Sequence, residues 1–416
     1  MSPPSSSISS EEAQSQTLTL NLSLIPGLPN DVASLILASV PFSHHTRLKS
    51  ISKLWKIFFS SKNLIPLRQR DSKLSNLICV FPEDPLVGSP YLFDPENSAW
   101  CPLPPMPCNP YVYGLCNFSS ISIGSQLYVL GGSLFDSRSF PMDRPTPSAA
   151  AFRFDFVNNS WECLSPMLSP RGSFACAAVP GLDRIVVAGG GSRHNMFGAA
   201  GSRMSSVEMY DIGKDEWMAL DGLPRFRAGC VGFFVANGDE REFWVMGGYG
   251  ESRTIMGVFP MDEYYKDAVV MELKDSWKWR ELGDMWEHGE RRRLGRTAVM
   301  EVADRDVPDI FMLDGGDIFR YDMASNRWWK ETSLPRKAMK DSSTGFFALD
   351  GELNVVTLMS GIDSAENRKS RQQKKLSTLY MQIYNPSKKT WRSLITKPPF
   401  HQPLDLKTAV MCSIRL

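Results

Sequence analysis

Tryptophan recurs along most of this chain at nearly even intervals. Six of the eleven tryptophans stand about one repeat apart, at Trp100, Trp161, Trp217, Trp279, Trp328 and Trp391. In five of these copies an Asp or Asn lies six positions upstream, at Asp94, Asp155, Asp211, Asp322 and Asn385. Self-similarity with a period of about 50 to 60 residues is typical of propellers and other repeat arrays. Most of the chain is therefore predicted to be one small unit repeated.

Each repeat has the pattern of short β-strands. Apolar residues alternate from Phe152 to Phe156, and the turn formers Asn158 and Asn159 lead on to Trp161, which predicts a tight hairpin. A later hydrophobic strand ends in paired glycines, which permit positive φ and close approach of another backbone. These pairs are Gly131-Gly132, Gly189-Gly190, Gly247-Gly248 and Gly315-Gly316. Four short strands per repeat predict a β-propeller, with each tryptophan filling the wedge between neighbouring sheets.

These features resemble the kelch repeat, in which a strand ends in a double glycine and a Tyr-Asp pair precedes the tryptophan. Such pairs stand at Tyr210-Asp211 and Tyr321-Asp322. The resemblance covers residues 77–416 and implies a mainly β fold with a six-bladed propeller. Two copies depart from the pattern, because Glu272 lies seven residues before its tryptophan and Thr357-Leu358 replaces a glycine pair.

The two ends of the repeat region are expected to pair with each other. The chain stops at a strand, Thr408–Leu416, that has no following partner, and the first repeat begins with an unmatched strand, Leu77–Phe81. An exposed edge strand invites aggregation. The C-terminal strand is therefore predicted to complete the first blade.

The segment before residue 76 has a different character. Residues 1–20 are rich in Ser, Gln and Pro without a basic stretch, which predicts a disordered arm and not a signal peptide. From Leu24 the apolar spacing becomes helical, with Asn30 as the expected N-cap of a first helix and Ser43 as that of a second. Two or three helices of this length bury little core alone, so they need a partner.

Residues 21–70 resemble an F-box, on the matches Leu28-Pro29, Leu35-Ile36-Leu37, Val40-Pro41, Arg47-Leu48 and Ile51–Trp55. In that family the helices dock on a Skp-type adaptor, which joins them to a cullin scaffold in a ubiquitin ligase. The adaptor-binding residues that the resemblance implies are Leu28, Pro29, Leu35, Ile36, Leu37, Pro41, Leu48, Ile51 and Trp55. One departure is His44-His45-Thr46, where the family usually has Ser and leucines.

An F-box before kelch repeats resembles the plant group of F-box/kelch-repeat proteins. The resemblance implies a non-catalytic substrate-recognition subunit of an SCF-type ubiquitin ligase, in which the propeller binds an unidentified target protein. The alternative is a kelch scaffold or interaction protein whose divergent F-box has no ligase role.

Composition is that of a protein of the cytoplasm or nucleus. The net charge is +1, and no run approaches the ~18 apolar residues of a membrane helix, so neither nucleic acid nor a membrane is a predicted partner. The eight cysteines show no CxxC spacing and are expected to be reduced core residues. His194, His288 and His401 fall in different repeats, and no phosphate loop is present, so no metal, cofactor or catalytic residue is predicted.

Local charge leaves two interpretations open. Residues 24–75 hold eight basic and two acidic side chains, either as a solvated face or as attraction to an acidic partner. A basic residue also introduces the innermost strand of successive repeats, at Arg171, Arg227, Arg293 and Lys340. These four either pair locally or form a positive ring that reads an acidic target. The basic loop Asp363–Lys375 is either a disordered insertion or a nuclear-import signal.

Overall fold

The structure is a computed structural model. It describes residues 23–81, 89–107, 109, 111–138, 145–191, 203–238, 240–255, 259–273, 278–286, 294–302, 305–337, 344–359, 378–399, 404, 406 and 409–416. The chain divides into two units, one of residues Met1–Ser75 with Leu416 and one of residues Asn76–Arg415. The N-terminal arm of residues 1–20, Arg293, Lys340 and the basic loop 363–375 lie outside the described residues.

The smaller unit is helical. Its elements are α1 (Asn30–Ala38), a 3₁₀ turn (Phe42–His44), α2 (His45–Leu48), α3 (Lys53–Phe59) and α4 (Leu64–Arg70). Its core is a cluster of Leu37, Ala38, Phe59 and Leu64, against which Leu48, Trp55 and Phe58 pack.

Two helix starts differ from the predicted ones. Asn30 is the first residue of α1 and not its cap, and its side-chain oxygen accepts a hydrogen bond from the Leu24 amide at 2.8 Å. Ser43 lies within the 3₁₀ turn, whereas Ser52 caps α3 by accepting a hydrogen bond from the Trp55 amide at 3.1 Å. The chain therefore bends after α2, where the sequence predicts one continuous helix.

The larger unit consists of antiparallel sheets, six of which have four strands in the described part of the chain. We call these sheets blades and name their strands from the inner to the outer one. Blade 1 contains β29 (Val410–Arg415), β1 (Asn76–Phe81), β2 (Tyr91–Asp94) and β3 (Ala99–Pro102). Blade 2 contains β5 (Ser119–Ile123), β6 (Gln126–Leu130), β9 (Ala151–Asp155) and β10 (Ser160–Leu164). Blade 3 contains β11 (Ala175–Ala178), β12 (Arg184–Ala188), β13 (Val207–Asp211) and β14 (Glu216–Leu220).

The remaining blades follow the same order. Blade 4 contains β15 (Val231–Asn237), β16 (Glu240–Met246), β19 (Ala268–Glu272) and β20 (Trp279–Glu281). Blade 5 contains β21 (Arg296–Val302), β22 (Arg305–Asp314), β23 (Asp317–Asp322) and β24 (Arg327–Ser333). Blade 6 contains β25 (Thr344–Leu349), β26 (Glu352–Met359), β27 (Thr378–Asn385) and β28 (Thr390–Thr396). Two small sheets are added to these, one of β4 (Val112–Cys116), β7 (Ser133–Asp136) and β8 (Thr146–Pro147), the other of β17 (Tyr249–Ile255) and β18 (Phe259–Tyr264).

The blades contact one another in a ring. Inner strand β29 contacts β5, β5 contacts β11, β11 contacts β15, β15 contacts β22 of blade 5, β21 contacts β25, and β25 contacts β29 again. The mainly β fold of six blades predicted from the repeat is therefore confirmed.

Blade 1 is built from both ends of the repeat region. Strand β29 pairs antiparallel with β1 in a register that runs from Asn76 opposite Arg415 to Phe81 opposite Val410. The indole N–H of Trp100 donates to Thr396 Oγ1 of blade 6 at 2.9 Å, which adds a second link where the ring closes.

Three further repeated tryptophans join their blade to the one before it. The Trp161 indole N–H donates to the Pro104 carbonyl at 2.9 Å, that of Trp217 to Ser165 at 2.8 Å, and that of Trp279 to Asp221 at 3.0 Å. Every acceptor follows the outer strand of the preceding blade. These three tryptophans, like Trp100, thus act both as packing rings and as hydrogen-bond donors across a blade boundary.

The Asp or Asn six positions before the tryptophan holds the hairpin turn. Asp211 Oδ1 accepts from the Lys214 amide at 3.1 Å, and Asn385 Oδ1 accepts from the Lys388 amide at 2.9 Å. In both turns the next residue, Asp215 or Lys389, has φ of 54°. The spacing seen in the sequence is therefore that of a four-residue turn closed by a side-chain acceptor.

A pair of Trp→Phe variants tests the cross-blade hydrogen bond. Trp161→Phe removes the bond to Pro104, whereas the buried indole nitrogen of Trp328 has no hydrogen-bond partner in the described part of the chain. Both changes remove the same volume. We expect Trp161→Phe to lower the free energy of unfolding by about 1 kcal/mol more than Trp328→Phe. Equal losses in denaturant titrations would show that the bond contributes nothing.

Candidate functional site

One face of the helical unit exposes apolar side chains. Val32, Leu35 and Ile36 lie on α1 at spacings of three and four residues, which place them on one stripe, and each is at least 40% exposed. Ile51 and Ile57 are exposed still further. Although this unit is much the smaller, it carries five of the thirteen exposed large hydrophobic side chains among the described residues. Such a concentration of exposed apolar side chains marks an interaction site.

The nine residues predicted to bind the adaptor divide into two sets. Pro29, Leu35, Ile36 and Ile51 are exposed, and Leu28 and Pro41 are half-buried. Leu37 is buried in the core of the unit, and Leu48 and Trp55 pack against that core. The indole N–H of Trp55 donates to the Leu24 carbonyl at 2.7 Å, so this side chain is used internally. The first set forms the accessible face, and the second supports it from below.

One of the eight basic side chains counted in this segment is structural. Arg68 is buried, and its guanidinium donates to the carbonyls of Ala38 at 2.6 Å and Val40 at 2.5 Å, just after the end of α1. It also donates to Ser75 Oγ at 3.0 Å and to the Leu416 carbonyl at 3.3 Å. A cation at a helix C-terminus is favoured by the helix dipole. Arg68 therefore holds the fold and does not belong to a solvated basic face.

His45 fills the position where the sequence departs from the usual F-box pattern. Its ring is buried, with its centroid 4.6 Å from that of Phe59 and 5.0 Å from that of Phe42, and its Nε2 lies 3.0 Å from the Val40 carbonyl. Burial lowers the pKa of His45 to about 3, with the nearby charge of Arg68 adding to the effect and the Val40 bond opposing it. The imidazole is thus a neutral core group at pH 7.

Acidification should loosen the helical unit through His45. The pKa of His45 is about 3 in the folded state and near its ordinary value of 6.5 in the unfolded chain, so between these values only the unfolded state takes up the proton. Stability is therefore lost as pH falls below 6.5. We expect amide protection of residues 30–70 to drop about fivefold from pH 6.5 to 5.5, beyond the intrinsic exchange rate. A His45→Gln variant that keeps the same pH dependence would contradict this assignment.

Arg171 and Arg227 are buried at the junctions between blades. The Arg171 guanidinium donates to the carbonyls of Gly189 at 3.0 Å and Ser206 at 2.9 Å, and pairs with the buried Glu208 carboxylate. In the next repeat, Arg227 donates to the Gly247 carbonyl at 2.7 Å and pairs with Asp267 at 3.1 Å. Burial lowers the pKa of Arg171, while the charge of Glu208 opposes that shift.

The backbone carbonyls of these arginines bind the glycine pairs of the preceding blade. The Gly132 amide donates to the Arg171 carbonyl, and the Gly190 amide donates to the Arg227 carbonyl, both at 2.8 Å. A Cβ on Gly131 would lie 2.5 Å from the Arg171 carbonyl oxygen, and Gly131 and Gly132 both have positive φ. The repeat needs glycine here because a side chain would occupy the space of the neighbouring peptide.

Of the two predicted alternatives, Arg171 and Arg227 therefore follow local pairing. They do not form part of a positive ring that reads an acidic target. Both guanidinium groups are buried and matched by carboxylates, so neither is available to an acidic target. Sequence reasoning missed the partners Glu208 and Asp267. A signal for Glu208 was present, because a carboxylate inside an apolar strand such as Val207–Asp211 needs a buried cation.

Within the described residues, no group of three or more His, Cys, Asp or Glu side chains is arranged to hold a metal ion. No helix among them is both long and apolar enough to cross a membrane. The seven cysteines that the structure describes are free thiols.

Removing Arg171 should cost far more than removing an exposed arginine. Arg171→Met leaves Glu208 buried without its cation, and we expect a loss of about 3 to 5 kcal/mol in unfolding free energy. The double variant Arg171→Met with Glu208→Met should recover most of that loss. The control Arg184→Met removes a half-exposed pair with Asp211 and should cost at most about 1 kcal/mol. Denaturant titrations that rank the single and double variants equally would contradict the buried pair.

Comparison with known protein families agrees with this geometry. The F-box domain family matches residues 25–67, and the Kelch motif family matches residues 114–168 and 170–224. The chain is 56% identical over 411 residues to F-box/kelch-repeat protein OR23 of Arabidopsis thaliana, which covers 95% of this chain and 92% of that protein. It is 30% identical over 217 residues to F-box/kelch-repeat protein SKIP30 of Arabidopsis thaliana, covering 52% of this chain and 58% of that protein.

The helical unit and the bladed unit are therefore an F-box and a kelch-repeat region. With similarity that runs along nearly the whole chain, this protein belongs to the F-box/kelch-repeat family. Members of this family are generally substrate receptors of SCF-type ubiquitin ligases, and an F-box implies binding to a Skp-type adaptor. No catalytic family is among the matched ones.

Proposed function

We propose that this protein is the substrate-recognition subunit of an SCF-type ubiquitin ligase. Its F-box docks on a Skp-type adaptor and through it on a cullin, and its propeller binds the protein to be ubiquitinated. The observation that carries this proposal is the exposed stripe of Val32, Leu35 and Ile36 on α1 in a unit that matches the F-box family. The chain itself supplies no catalytic group in this proposal.

The charge on the F-box supports an acidic adaptor surface. With Arg68 inside the fold, Arg47, Lys53, Lys56 and Lys62 remain exposed on this unit. Apolar anchors give affinity at the centre of an interface, and an excess of one charge sign on the same unit steers the encounter. The free thiols fit a reducing compartment, and we place the complex in the cytoplasm or nucleus.

The target surface must be sought away from Arg171 and Arg227, because both side chains are buried. The exposed apolar side chains Tyr111, Leu168 and Phe226 lie on the connections that lead from blades 1, 2 and 3 to the next blade. Connections held by a rigid scaffold commonly carry binding residues. We propose these connections, with the two small sheets beside them, as the region that contacts the target.

Leu35→Asp with Ile36→Asp tests the adaptor contact. Both side chains are exposed, so the F-box should stay folded while a central apolar contact is replaced by two charges. We expect affinity for a purified Skp-type adaptor to fall by roughly 30-fold or more, the effect of losing an interface hot spot. Leu182→Asp, a similarly exposed leucine in the propeller, is the matched control and should bind normally.

The two candidate functions give different outcomes in this experiment. An unmodified protein that captures a Skp-type adaptor and a cullin is a ligase subunit. Failure of the unmodified protein to bind any Skp-type adaptor would favour the scaffold function with a divergent F-box. Adaptor binding that the double variant retains would show that another face makes the contact.

A further inference from the structure

Blade 5 carries an exposed tryptophan outside the repeat pattern. Trp329 follows the repeat tryptophan Trp328 on β24 and is 62% exposed, whereas Trp328 is buried. The residue at this place in the other blades is Cys101, Glu162, Met218, Arg280 or Arg392. The fold therefore does not require an aromatic ring at this position.

Trp329 lines a groove of about 410 Å³ on the outer part of blade 5. Arg320 is its direct neighbour across the strand pair, which puts the two side chains on the same face of the sheet. Val307 and Pro308 at the start of β22 and Met323 in the hairpin turn add apolar surface. The groove thus combines an accessible indole with an aliphatic wall.

The charged groups of the groove leave it acidic. Its lining includes the carboxylates of Asp309, Asp322 and Glu331 against the single guanidinium of Arg320. Arg320 pairs with Asp309 at 2.7 Å and lies 5.9 Å from the centroid of the Phe311 ring, so this cation is already held. Among the described residues, neither Asp322 nor Glu331 forms an ion pair, although the nearby charge of Arg320 acts on Asp322.

Glu331 is fixed in place by the neighbouring blade. Its Oε1 accepts a hydrogen bond from the Tyr384 hydroxyl at 2.9 Å, which orients the carboxylate without neutralising it. Asp322 is held likewise, since its Oδ1 accepts from the Ala324 amide at 3.2 Å and its Oδ2 from the Ser325 hydroxyl at 2.5 Å. Both anions are therefore positioned before any ligand arrives.

We propose that this groove binds a lysine or arginine side chain of a partner protein. The cation lies over the Trp329 indole, because an aromatic face attracts positive charge. Glu331 and Asp322 accept its N–H groups, and Val307 and Pro308 cover its aliphatic stem. The site is separate from the F-box stripe and the blade connections, and it does not depend on ligase activity.

The test measures binding of a labelled basic peptide to the full-length protein. The probe is a fluorescein-labelled peptide of four Lys-Ser-Gly repeats, and the comparison probe has glutamate in place of lysine. We expect saturable anisotropy with the lysine peptide that weakens as salt is raised. Trp329→Ala and Glu331→Gln should each raise the dissociation constant about fivefold or more. Gln can still accept the Tyr384 hydroxyl, so Glu331→Gln changes the charge alone.

Met218→Ala is the matched control, since Met218 occupies the same place in blade 3 and is also exposed. It should bind the lysine peptide as the unmodified protein does, and all three variants should melt at the same temperature. The proposal is overturned if the lysine peptide does not bind, if the glutamate peptide binds equally well, or if Trp329→Ala weakens binding no more than Met218→Ala does.

Discussion

The close contact between a glycine pair and the arginine of the next repeat sets the spacing of the blades. The Gly190 amide donates to the Arg227 carbonyl, while the Arg227 guanidinium reaches forward to the Gly247 carbonyl. One residue thus binds the blade behind it with its backbone and its own blade with its side chain. Because the cation is buried, a carboxylate such as Asp267 must accompany it. The glycine pair, the arginine and its carboxylate partner depend on one another. The charged groups are used within the fold, so they are not available to a ligand.

The sequence predicts the blades well because their signals are local. The tryptophan, the Asp or Asn of the turn and the glycine pair recur at fixed places within one repeat, so their spacing is visible along the chain. The role of Arg171 was not predictable in the same way, because its partner Glu208 lies on a different strand, 37 residues further along. The sequence shows that residue 171 carries a positive charge, but it does not show that this charge is buried. The ring closure was visible only because both ends of the repeat region carried an unmatched strand.

In the F-box, local sequence signals are ambiguous, and packing decides between them. Ser43 and Ser52 are both suitable caps, and the chain uses Ser52. The buried His45 ring contacts Phe42 of the 3₁₀ turn and Phe59 of α3, and α2 ends at Leu48 before α3 begins at Lys53. The same packing separates residues that look alike in sequence. Leu37 turns into the core, and its neighbour Ile36 remains at the surface for a partner. Helical spacing indicated an apolar face but could not assign its members to core or surface.

Breaks in the repeat are informative because the fold does not account for them. In blade 5 the glycine pair Gly315-Gly316 forms a short turn between β22 and β23, whereas the pairs of blades 2 to 4 are followed by long connections. The same blade carries Trp328, whose indole N–H has no acceptor in the described part of the chain, unlike those of Trp161 and Trp217. Asn326, Arg327 and Glu331 bond blade 5 to its neighbours, and Trp329 takes no part in these bonds, so its position is free to vary. An exposed indole beside oriented carboxylates is a feature that such freedom permits, and its cost in exposed apolar surface argues for a partner that covers it.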